Sequence, residues 1–138
     1  MRASSAVLLP HAPSSVAVAR RRLCDELFAR GVTAPAVDDA ALVVSELLSN
    51  ALRHARPLPS GAVRVAWRVG DEEVEVAVSD GGSPMVPTPR HPRASALGGR
   101  GLGIVAFVAE TWGVHREQEE TTVWAVLPAV QFVEVVPD

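Results

Sequence analysis

Glu46 and Asn50 stand four residues apart in Ser45-Glu46-Leu47-Leu48-Ser49-Asn50, with His54 a further four on. On a helix that spacing stacks a carboxylate and an amide on one face and aims both at one point. An amide oxygen is a hard, neutral ligand suited to Mg²⁺, a cation usually held by one or two protein oxygens alongside waters and phosphates. A neighbouring carboxylate can orient or deprotonate whatever attacks a terminal phosphate. Spacing alone fits a plain solvated helix face better than it fits a site. Asp80-Gly81-Gly82 closes an alternating apolar run. There an aspartate can accept a hydrogen bond from an exocyclic amine, while glycine lets a flat base approach the backbone. Taken alone, a turn is the simpler reading. Gly98-Gly99-Arg100-Gly101-Leu102-Gly103 leads into a helical pattern. Unpaired N–H groups and the positive end of the dipole then face an anion, and Arg100 can pair with a phosphate through its planar fork. A flexible structural loop is the competing reading.

Other phosphate-binding devices fit less well. Gly101, Gly103 and Ala106 match the G-x-G-x-x-A dinucleotide fingerprint, but that motif follows a strand directly and here a proline-laden loop intervenes. All 13 basic residues are arginine, which removes the Walker-type loop and its lysine. A net charge of -3, with no arginine stripe interleaved with aromatics, argues against nucleic acid as a partner. Cys24 alone forms neither an intrachain disulfide nor a thiolate metal site. Met1 to Pro10 lacks the pattern of a signal peptide, and the apolar run Gly101 to Ala109 is about half a membrane span. The chain is therefore expected in the cytoplasm. His11, His91 and His115 are too scattered for a metal site. Trp67, Trp112 and Trp124 read as core or sheet-face anchors, and Arg20 to Arg22 as a solvated face.

The elements that must position these groups follow from periodicity. Ala6 to Leu9 predicts a short edge strand stopped by Pro10. Val16, Leu23, Leu27 and Phe28 recur at helical spacing, so a first helix is expected over about Ser14 to Arg30, closed by Gly31. A second, running to about Ala55, carries a broad apolar face from Val37 to Leu52, with Asp38 and Asp39 placed to favour its dipole. Val63, Val65, Trp67 and Val69, then Val74, Val76 and Val78, alternate as two strands of a hairpin turning at Gly70 and Asp71. A lid of about 81–100, rich in Pro and Gly, precedes a third helix expected over Gly101 to about Trp112. Strands at Val114 to Glu117 and Thr122 to Leu127 flank an acidic turn, and Val130 to Val136 forms a β-branched tail. One domain over 1–138 is expected, with an α+β, two-layer α/β sandwich fold: a mixed, mostly antiparallel sheet with three helices on one face.

In this order, the three motifs resemble the GHKL ATPase superfamily. Val44 to Ala51 with His54 is similar to its N-box, Asp80-x-Gly82 to its first glycine box, and Gly99-Arg100-Gly101-Leu102-Gly103 to its second. Size and element order are most similar to the bacterial anti-sigma-factor serine kinases, over about Val16 to Leu127. The resemblance implies a Bergerat ATP-binding fold, with ATP and Mg²⁺ as cofactors. It implies Asn50 as the magnesium ligand, Glu46 as the base that activates a serine hydroxyl or water, and Asp80 as the adenine anchor. Gly82 would shape the base pocket, Gly99 to Gly103 would wrap the triphosphate, and Thr122 would make an adenine contact through water. Its partners would be a sigma factor, an antagonist protein phosphorylated on serine, and a second copy in a homodimer.

The absence of lysine, with Arg90, Arg93 and Arg100 the only charges of the lid, motivates an alternative: a module in which ATP switches protein binding without phosphoryl transfer. A scaffold with degenerate nucleotide binding is the third reading.

Overall fold

The computed structural model describes residues 3–83 and 100–129. Most of the expected lid, with Arg90, Arg93 and Gly99, and the tail 130–138 lie outside the described residues. The elements are β1 (Ala3–Pro10), α1 (Ser14–Ala29), α2 (Ala34–His54), β2 (Ala62–Val69), β3 (Glu73–Asp80), α3 (Arg100–Val108), β4 (Thr111–Glu117) and β5 (Glu120–Pro128).

The five strands are ordered β1-β2-β3-β5-β4, and every pairing is antiparallel. A mixed sheet was a reasonable expectation, because the helical connection from β3 to β4 does run those two strands in the same direction. The β4–β5 hairpin then folds β5 back between them, so no parallel neighbours result.

One face of the sheet is apolar. Val63, Val65, Trp67 and Val69 of β2, Val74, Val76 and Val78 of β3, and Val123, Ala125 and Leu127 of β5 are buried there. α1 and α2 pack on that face and on each other, and α2 also packs on α3. Leu23 and Leu27, Leu47 and Leu48, and Leu102 and Val105 join the strands in one core. The opposite face has no helix on it among the described residues. It carries the ion pairs Arg64–Glu120 and Arg68–Glu75 and the exposed Leu8.

Local chemistry explains the helix ends. Gly31, at φ 82°, lets the amide of Val32 reach the carbonyl of Leu27 at 3.0 Å and its own amide reach Phe28, closing α1 with the reciprocal bonds of a Schellman motif. Thr33 and Pro35 start α2 earlier than the acidic pair suggested: with the helix beginning at Ala34, its first turn holds no acid, and Asp38 and Asp39 lie beyond the reach of its N-terminal dipole. α3 ends at Val108, four residues short of the expected Trp112. Gly113, just past that expected end, is a strand residue. It sits opposite Trp124, and a Cβ there would meet the indole Cζ2 at 2.6 Å.

The segment after α2 is pinned to the end of β3. The amide of Gly81 bonds the carbonyl of Arg56 at 2.7 Å, and the amide of Arg56 bonds that of Gly82 at 3.0 Å. A Cβ on Gly81 would collide with the Pro57 carbonyl.

Two stability outcomes follow. Leu48, 0 % exposed, is expected to cost about 2–5 kcal/mol on truncation to alanine in urea unfolding; a loss under ~1 kcal/mol would show that α2 is not seated in the core. Gly81→Ala should destabilise through backbone collision. Gly103→Ala, whose Cβ meets nothing within 4 Å, should be neutral or stabilising by up to about 1 kcal/mol; equal midpoints for the two variants would refute the pinning.

Candidate functional site

The apolar row Val74, Val76, Val78 on the inner face of β3 ends in a carboxylate. Asp80 continues the alternation, points to the helix side and is 4 % exposed. The next two residues turn the chain back: Gly82 adopts φ 92°, left-handed backbone that glycine tolerates, and its amide donates to Asp80 Oδ1 at 2.7 Å. Turn and buried acid are thus one device. Burial pushes the Asp80 carboxyl above its ordinary value; the Gly82 N–H, then the charges of His11 and Arg116, pull it back in part, and Glu120 adds to the rise. Asp80 Oδ2 accepts no hydrogen bond among the described residues.

Register decides what faces this carboxylate. Asp80 pairs with Thr121, and Thr121 with Arg116, so the three share the inner face at the end of the sheet. Thr121 is buried, with its hydroxyl oxygen beside Gly82. Thr122, the threonine singled out in the sequence, is directed to the opposite face, where its hydroxyl lies 2.6 Å from that of Ser79. It cannot reach a ligand at Asp80, because neighbouring strand residues point to opposite faces. The inward series Leu127, Ala125, Val123 carried one step further would have found Thr121.

Glu46 and Asn50 lie one turn apart on α2, both half-buried, and neither side chain has a hydrogen-bond partner among the described residues. α2 packs against both β3 and α3. Arg100 and Gly101 open α3, so the backbone N–H groups of its first turn are free of helical partners. Leu102 has its side chain in the core, 2 % exposed, so its part in any ligand site is confined to its backbone and to seating the helix. Gly103 has open space around its Cα. Gly99 lies outside the described residues. His54 is exposed in the last turn of α2. His11, not singled out from the sequence, has its Nε2 3.0 Å from the carbonyl of Ala55 and so ties the β1–α1 turn to the end of α2.

The donor set suits an adenine nucleotide. A buried carboxylate with one open oxygen, a hydroxyl beside it and a glycine turn without side chains form a recess for an amine-bearing flat base. The free amide of Asn50 suits a hard cation, and the α3 N-terminus suits phosphate. No group of three or more His, Cys, Asp or Glu able to hold a metal exists among the described residues, so a cation here would rely on Asn50 and on the phosphates themselves. No described helix is long and apolar enough to cross a membrane.

Comparison with known proteins shows the family. A family model described as the histidine kinase-like ATPase domain matches residues 9–127. The serine-protein kinase RsbW of Listeria innocua serovar 6a is 30% identical over 76 residues, 54% of this chain and 48% of that protein, so the chain spans about half the length of this relative. Among solved structures, the RsbU and RsbW domains of Rv1364c from Mycobacterium tuberculosis superpose with a TM-score of 0.71 at 17% identity, covering 96% of this chain and 35% of that one; at that identity the likeness speaks for the fold. With the family match spanning most of its length, the chain belongs to the histidine kinase-like ATPase domain family of the GHKL superfamily.

Proposed function

We propose that this protein is a cytoplasmic Mg-ATP-binding regulator of the anti-sigma-factor type, acting as a homodimer, which phosphorylates a serine of an antagonist protein and otherwise sequesters a sigma factor. The observation that carries the reading is Asp80: a carboxylate buried at a strand end, with one oxygen fixed by Gly82 and the other open. A buried charge without a full set of partners is costly, and such costs persist at functional sites.

In this reading Asp80 Oδ2 accepts a hydrogen bond from the exocyclic amine of adenine, and the water-mediated contact first given to Thr122 passes to Thr121. Asn50 Oδ1 holds Mg²⁺, while Gly99, Arg100, Gly101 and Gly103 surround the phosphates through backbone N–H groups and the Arg100 guanidinium. Mg-ATP supplies the transferable phosphoryl group. Glu46 takes the proton of the attacking serine hydroxyl, which sharpens that oxygen as a nucleophile. The similarity to a serine-protein kinase supports transfer. The lack of any lysine supports the alternative, an ATP-switched protein-binding module.

Asp80→Asn keeps an oxygen for the Gly82 N–H and loses the charge. ATP affinity in calorimetric titration should fall about 10- to 100-fold, with the thermal midpoint of the free protein at neutral pH unchanged or raised; unchanged affinity would remove Asp80 from the site. Adenine needs the ionised carboxylate, so wild-type affinity should weaken as pH falls through the raised Asp80 value, above the ordinary 3.8. The free protein shows the opposite sign: the stability conferred by this raised carboxyl is complete below 3.8 and is lost as pH rises through the raised value.

Glu46→Ala should cut transfer of labelled γ-phosphate to a cognate antagonist by about 10²–10⁴, with ATP affinity within about threefold. An unchanged rate would exclude Glu46 as the base. No transfer by either form, with ATP-dependent capture of a sigma factor intact in both, would establish the binding module instead.

A further inference from the structure

Behind the glycine turn lies a second recess of about 440 Å³, lined by Arg56 and Pro57 after α2, by Gly81 to Ser83, and by Arg116, Glu119 and Thr121 of the β4–β5 hairpin. It shares Gly82 and Thr121 with the surroundings of Asp80, so the two adjoin at the glycine turn. Its charge is unusual for a chain of net charge -3. The arginines of the helix-free sheet face are neutralised, Arg64 by Glu120 and Arg68 by Glu75. Arg56 and Arg116 make no ion pair among the described residues, and Arg116 Nη2 donates only to the Ser83 carbonyl among them, at 3.3 Å. Glu119 stands at the rim, exposed on a turn where Gln118 takes φ 54°.

We propose that this recess docks an acidic peptide segment of a partner protein, whose carboxylates pair with Arg56 and Arg116, and that docking is coupled to the Asp80 site through the glycine turn. Three features select that class of occupant. Small-molecule pockets are mostly apolar and enclosing, whereas this lining is guanidinium, backbone and hydroxyl, and its rim residues Arg56, Pro57, Arg116, Gln118 and Glu119 are all exposed. Paired arginines on a backbone-lined recess are a means of holding acidic motifs, since each planar fork can take a carboxylate with two parallel bonds. The Arg116–Ser83 bond is long enough to be weak, so Arg116 can exchange that carbonyl for an incoming carboxylate with little loss.

Coupling follows from the shared Gly82 and Thr121, and only this part rests on the nucleotide reading. Pairing Arg116 with an anion cancels a positive charge that favours the ionised form of Asp80 and breaks the Arg116 bond to the carbonyl of Ser83, which follows directly on the Gly82 that holds the carboxylate. A docked acid therefore weakens the hold on adenine, and by reciprocity ATP weakens docking by the same factor.

The test uses the full chain and a fluorescein-labelled hexapeptide, Asp-Glu-Glu-Asp-Glu-Glu, against its Asn/Gln counterpart. Anisotropy should show binding of the acidic peptide alone, weakening with added salt, with amide NMR shifts centred on 81–83 and 116–121. Arg56→Gln and Arg116→Gln should each weaken binding at least about fivefold and the pair abolish it, Glu119→Gln should strengthen it, and Arg22→Gln on α1 should leave it within twofold, all with unchanged melting. Equal losses in Arg22→Gln, shifts centred elsewhere, the same shifts with inorganic phosphate at equal concentration, or no binding would each overturn the docking site. Saturating peptide should raise the ATP Kd about three- to tenfold; docking without that change would refute the coupling alone. Docking in a protein that ignores ATP would refute the nucleotide reading and leave the recess standing.

Discussion

A carboxylate buried at the end of an apolar strand row is the constraint around which this molecule is arranged. Asp80 occupies the inward position that the pattern Val74, Val76, Val78 would give to another valine. Taking a charge out of water is expensive unless it is paired and hydrogen-bonded, yet the described residues give it a single N–H, from Gly82. The surroundings answer with position rather than with partners. The left-handed φ of Gly82 aims that N–H, and the absence of a Cβ on Gly81 leaves room for the Pro57 carbonyl while the Arg56 backbone locks the turn.

That lock links sheet to helix. The stretch Ala55 to Pro57 leaves α2 and at once bonds the glycine turn, while His11 holds the Ala55 carbonyl from the other side. The C-terminal part of α2, which bears Glu46 and Asn50, and the strand end that bears Asp80 are therefore fixed to each other by backbone. Backbone bonds of this kind are less tolerant of drift than contacts between side chains, and the proposed nucleotide site would draw on that rigidity.

The two faces of the sheet do different work. The inner face holds the core and the acid; the outer face is laced by Arg64–Glu120, Arg68–Glu75 and the Ser79–Thr122 hydroxyl pair, with the Trp124 indole lying over Gly113. Because side chains alternate, these outer pairs and the inner apolar rows enforce one register together, and a slip of one residue would exchange Thr121 for Thr122 at the site.

The sequence by itself determined the elements whose signals are local. Gly31, Pro35, the alternating valines and the i, i+4 pair Glu46 and Asn50 act within one or two turns of chain, and the helices, the central hairpin and the order of the three motifs were legible from them. It misjudged places where distant chain decides. Trp112 ends a helical pattern, yet it and Gly113 became strand because β5 offered a ladder and Trp124 required a residue without a side chain opposite. Thr122 and Thr121 are equivalent in composition, and only pairing to β3 says which one faces Asp80. Arg116 and Arg56 are sixty residues apart and carry no motif; the tertiary fold alone sets them on one recess behind the glycine turn. Periodicity reports which residues share a face of one element, but which faces meet is fixed by pairing and packing between elements, and that is where the chemistry of this site was settled.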